Sequence, residues 1–197
     1  MTMSQRAFHR PVPLADLDSV GAVDDPVARS ETSHATAALL LGDAHGNRDE
    51  AATRRFVELA DDIGFEVIAE MWSAAPAVSA PGALWRLYAL RQWIKSAPRE
   101  LSEMFSDGQR RVTEGIGYDE ILAGVELPAG PDEVAHAIDE ILVGAFRGDV
   151  VIALLRAAAF VGICAAGTDD RDTGNRLRQL SQDLSDAAVA HRRGGLD

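Results

Sequence analysis

A chain of 197 residues, 47% hydrophobic and 25% charged, is long enough to bury a core and too apolar to be disordered throughout. Its formal net charge of -12 argues against a general binder of nucleic acid or anionic membrane, because both demand a cationic surface. The one cysteine, Cys164, excludes an internal disulfide, and the opening residues lack the apolar run of a secretory leader.

Alanine, the best helix former, is the commonest residue, and among the 19 basic residues only Lys95 is a lysine. Runs of β-branched residues are scarce. The composition therefore predicts an all-α protein. The expected architecture is a single bundle of about six helices around a central apolar helix at 149–166. A poorly ordered or loosely docked N-terminal arm fills residues 1–33, and the bundle domain occupies 34–197.

In the arm, Pro11, Pro13 and Pro26 interrupt any repeating apolar face. Thr36–Leu41 adds a short helix, and a turn follows at Gly42–Gly46. Asn47 with Glu50 three residues on resembles a capping box. From there Val57, Ala60, Gly64, Val67 and Met71 recur at helical spacing, which predicts one long helix from about Arg48 to Ala74. Its other face, with Glu58, Asp61, Asp62, Glu66 and Glu70, reads as solvated, since unpaired carboxylates are costly to bury.

Pro81 and Gly82 open the next helix, whose row Leu84, Leu87, Leu90, Ile94 and Ala97 ends before Pro98. Pro98 suits the first position of a third helix, Arg99 to roughly Val112. Gly108–Pro131 reads as irregular, with a helical turn at Tyr118–Ala123. Pro131 then starts a helix with the stripe Val134, Ile138, Ile141, Leu142, Ala145 and Phe146, ended by Gly148. The segment from Asp149 to Ala166 is apolar nearly all round, and Arg156 is its one interruption. Such a helix belongs at the centre of a bundle. After an acidic turn at Gly167–Gly174, a last helix from Asn175 to about His191 repeats Leu177, Leu180, Leu184 and Ala187, a narrow stripe suited to one partner helix.

Charge is unevenly spread. Pro76–Ile116 holds six basic and four acidic residues, and Gly117–Asp149 holds one basic and eight acidic, so the two regions are expected to attract one another inside the fold or in an assembly.

The densest chemistry lies in the helix after Pro81. Trp85, Arg86, Tyr88, Arg91, Trp93 and Lys95 fall within eleven residues. Arginine and tryptophan can hold a carboxylate or phosphate while stacking on a flat group. The same residues can equally anchor helix packing and pair with carboxylates of neighbouring helices. Arg91, Lys95 and Arg99 share one edge if the helix continues through Pro98. Arg156 in the most apolar helix needs either a carboxylate partner or an exit to the surface.

Glu133 and His136 form half of a bundle-type metal motif, but no second half exists and His136 faces away from the apolar stripe. His34, Asp43 and His45 fit a plain turn, and Asp169, Asp170 and Asp172 lack the spacing of a calcium loop. No catalytic, metal or cofactor motif is present.

The sequence therefore predicts a non-enzymatic, soluble, cytoplasmic helical protein acting through protein–protein contact, as an adaptor or a self-associating unit. The contact surface is expected on the helix of Trp85, Arg86, Tyr88, Arg91, Trp93 and Lys95, with Arg156 and the Leu177–Leu184 stripe. The alternative is a bundle whose Arg86, Tyr88, Arg91 and Arg156 line a pocket for a small acidic ligand. Weaker still is a regulator of a nucleic-acid-binding protein. No cofactor, no metal, no direct nucleic-acid contact and no membrane is expected.

Overall fold

A computed structural model describes residues 26–41, 49–113, 130–142, 149–194 and 196. Among them the chain is all-α, with eight helices and no strand: α1 (Pro26–Leu41), α2 (Glu50–Ile63), α3 (Phe65–Trp72), α4 (Ala80–Ser96), α5 (Pro98–Thr113), α6 (Pro131–Leu142), α7 (Val150–Gly167) and α8 (Arg171–Arg192). The arm before residue 26, the Gly42–Gly46 turn, Asn47, Tyr118–Ala123, Ala145, Phe146 and Gly148 lie outside the described residues.

Helix α1 begins earlier than the Thr36–Leu41 segment. Proline at the first position costs nothing there, because that N–H has no helical partner anyway. Residues 26–32 are exposed, and the first buried residue is Ser33, whose hydroxyl donates to the Met71 carbonyl of α3 at 3.2 Å. Two further bonds fix α1. Trp72 Nε1 donates to Thr36 Oγ1 at 3.1 Å, and the Thr53 hydroxyl of α2 donates to the Leu39 carbonyl at 2.8 Å.

The single helix expected over Arg48–Ala74 is two helices. Its cap is Asp49, whose Oδ1 accepts from the Ala51 and Ala52 amides at 3.0 Å each. Gly64 breaks it with φ +87°, a left-handed conformation that side chains resist. The break resets the helical phase. Val67, expected in the apolar row, is 60% exposed, while Ile68 and Trp72 turn inward. Glu58, Asp62, Glu66 and Glu70 are exposed.

Helix α4 starts at the Ser79 cap, whose Oγ accepts from the Gly82 amide, with Pro81 in its first turn. It ends before Pro98, so Arg99 belongs to another helix and the row Arg91, Lys95, Arg99 is not continuous. Helix α5 runs through Gly108 to Thr113, beyond the point where glycine suggested irregularity. At 108 glycine admits a neighbour: a Cβ there would sit 1.9 Å from the Ile163 carbonyl oxygen of α7.

Helix α7 packs against α5, α6 and α8. Asp149 caps it, accepting from the Val151 amide. By length and composition it is the one described helix apolar enough to cross a membrane, with mean hydropathy 2.2, and 72% of it is buried within the fold. Phe105 meets Phe160, Gly108 meets Ile163, and Arg111 reaches Ala166 and Asp169. Helices α5 and α7 therefore run in the same direction, and Arg111 satisfies a free carbonyl at the C-terminus of α7.

The acidic turn is shorter than Gly167–Gly174. Asp170 accepts from the Asp172 and Thr173 amides and starts α8 at Arg171. Helix α8 folds back on α7, where the Ser181 hydroxyl donates to the Ala158 carbonyl at 2.8 Å. Its stripe of Leu177, Leu184 and Ala187 is buried, with Leu180 half-buried. The stripe offered above as a contact surface is thus covered by the chain's own α7, the nearest apolar face to a helix joined by three residues.

Candidate functional site

Helix α4 touches α1, α3, α5, α6 and α8, so its side chains reach several neighbours at once. On one side Trp85 stacks on Tyr88, with ring centroids 6.0 Å apart and planes at 29°. Tyr88 lies 5.6 Å from Phe65 of α3, and Phe65 meets Trp72 edge-on at 5.7 Å. These four rings join α3 to α4, and such pairs add about 0.5–1.5 kcal/mol each beyond the area they bury. The Tyr88 hydroxyl accepts from Gln92 Nε2 at 2.7 Å. Trp93 is half-buried against the core.

The cations are engaged separately. Arg86 Nε donates to Asp183 Oδ2 of α8 at 2.8 Å, its Nη1 donates to the Gly82 carbonyl, and Gln179 Nε2 donates to the other Asp183 oxygen. Arg91 hydrogen-bonds to Asp139 of α6, and Lys95 lies 3.4 Å from the second oxygen of the same carboxylate. The attraction read between the basic and acidic regions therefore acts inside the fold, through Asp139. Partial burial alone raises the Asp139 pKa, but the hydrogen bond and charge of Arg91, with Lys95, outweigh it and hold the group below the usual carboxylate range.

A depressed carboxylate stabilises the fold above its unfolded pKa of roughly 4, and that contribution fades as pH falls through the folded value. With side chains 25–47% exposed, the pairs formed by Asp139 are worth at most about 1 kcal/mol. Asp139→Asn is expected to lower stability by that amount at pH 7, by less as pH falls below about 4, and by nothing once pH lies below the depressed folded value. Urea unfolding of both proteins at several pH values checks this.

Of the seven candidate residues, six lie on α4 and Arg156 does not join them. It is exposed on α7 and makes no ion pair among the described residues, so it leaves the apolar helix for solvent. Beside it Ile152 is 49% exposed, with Val151 and Leu155 half-buried. Cys164 on the same helix is buried, and its thiol is pushed up to about 12 by desolvation, so it stays protonated and unreactive.

The remaining motifs have local roles. Glu133 accepts from the Gly130 amide at the start of α6, and His136 stands exposed 3.7 Å from Glu140. Asp169 pairs with Arg111. No group of three metal-ligating side chains lies together among the described residues. The sequence reading missed Asp139 and Asp183. Charge asymmetry pointed to the region of the first, whereas no spacing links Arg86 to a residue 97 positions away.

No family model matches this chain, and no curated protein or solved structure matches it either.

Proposed function

We propose that this chain is a non-enzymatic cytoplasmic protein that works by binding another protein, and that the first two turns of α7 form the contact. The observation that carries the reading is a contrast between two helices. On α4 the cations are occupied by Asp183 and Asp139, so an acidic ligand there would have to displace carboxylates already in place. On α7 the exposed Ile152 and Arg156, flanked by Val151 and Leu155, combine an apolar surface with a charge that no described residue pairs. Apolar surface beside one fixed charge suits a partner helix, the apolar part giving affinity and the charge setting register.

A photo-cross-linking residue at position 152, in the cells that normally make the protein, tests this. A discrete adduct that disappears with Arg156→Glu is expected. Absence of any adduct, or one indifferent to that substitution, overturns the reading.

A further inference from the structure

We propose that the α7 face is covered by a second copy of this chain, which offers its α3 face, so that copies join head to tail. The inference rests on the protein-contact reading above and names the partner. Val67 on α3 is 60% exposed and stands beside Glu66 and one turn before Glu70, both exposed. Neither glutamate is paired with a described residue. The α7 face carries the opposite charge beyond its first turn, with Ile152 one turn from Arg156 and no carboxylate between Val150 and Gly167, while the exposed Asp149 before it caps the helix through the Val151 amide. Apolar contact sets Ile152 on Val67, and the Arg156 side chain, one turn along α7, is long enough to reach toward the two carboxylates of α3.

The Gly64 break is what brings Val67 outward, so the α3 face is created by the fold and is absent from a continuous helix. Each face is a few side chains, well short of the ~800 Å² per partner of a stable complex, so association is weak and grows with protein concentration. The -12 charge repels copies at long range, which physiological salt screens over about 8 Å. Because the two faces differ, the contact does not close on two copies, and assembly continues as concentration rises.

Sedimentation equilibrium at physiological salt tests this with Arg156→Glu and with the double variant Glu66→Arg/Glu70→Arg. All three positions are exposed, and circular dichroism verifies the helix content. Val67→Asp replaces the double variant if that one misfolds. The wild type is expected to rise from 21.1 kDa beyond the mass of two chains as concentration increases. Each variant alone stays monomeric. Their equimolar mixture recovers concentration-dependent assembly, because each retains one intact face for the other and the two reversed faces are again opposite in charge.

Wild type that stays monomeric throughout overturns the proposal. So do variants that associate as the wild type does. In either case the cross-link from position 152 still decides separately whether α7 binds another protein.

Discussion

Gly108→Ala is expected to destabilise the protein by about 1–3 kcal/mol or more, although alanine in an ordinary helix interior gains about 1 kcal/mol over glycine. The sign reverses because the added Cβ meets backbone. It would lie 1.9 Å from the Ile163 carbonyl oxygen and 3.0 Å from Ile163 Cγ2. Neither helix can relieve that by a side-chain rotation, so α5 and α7 must separate along their whole contact. Gly167→Ala meets the same obstacle from the other side, 1.8 Å from the Met104 carbonyl oxygen. The two substitutions strain one contact, so their combined cost should fall below the sum. Gly130→Ala has nothing within 4 Å of its Cβ and serves as the control. Urea midpoints of the four proteins read the effect, and a Gly108→Ala protein as stable as wild type would mean that the helices do not touch there.

Phe160→Ala should cost about 3–5 kcal/mol. Phe160 is fully buried on α7, and its ring centroid lies 5.2 Å from that of Phe105 on α5. Toward the N-terminal side of the glycine contact, these two rings fill the space between the helices. Truncation opens a cavity that backbone held together at Gly108 and Gly167 cannot collapse to fill. Phe160→Leu retains most of the volume and should cost clearly less. Equal losses from both substitutions would show that the site is not tightly packed. Calorimetric or urea unfolding separates the outcomes.

The helices most legible in the sequence were those with an unbroken period and a capping residue at the start. The composition of α7 and the stripes of α6 and α8 located those helices, because a buried apolar face leaves a 3.6-residue period. Boundaries were less legible, since several glycines and aspartates have more than one use. Gly64 breaks a helix by its positive φ, whereas Gly108 sits inside one and permits close packing. Asp170, read as part of a turn, is a helix cap. The central place of α4 was hidden because Arg86, Arg91 and Lys95 interrupt its apolar pattern, and their partners lie on α8 and α6, far away in sequence. Arg156 was legible as an anomaly. That it reaches solvent depends on which turns of α7 the other helices leave uncovered.

The basic, aromatic helix α4 is tied into the fold through Arg86, Arg91 and Lys95, which on our proposal leaves α7 for a partner. A double-mutant cycle on Arg86 and Asp183, read by urea unfolding, tests that division most directly. The two side chains are 21% and 15% exposed, so removing one strands the other in a partly desolvated place. Asp183→Leu alone is expected to cost about 1–3 kcal/mol. Together with Arg86→Met it should cost less than the sum of the two, with a coupling of about 1 kcal/mol or more. Single variants as stable as wild type, with no coupling, would contradict the account and free Arg86 for a ligand.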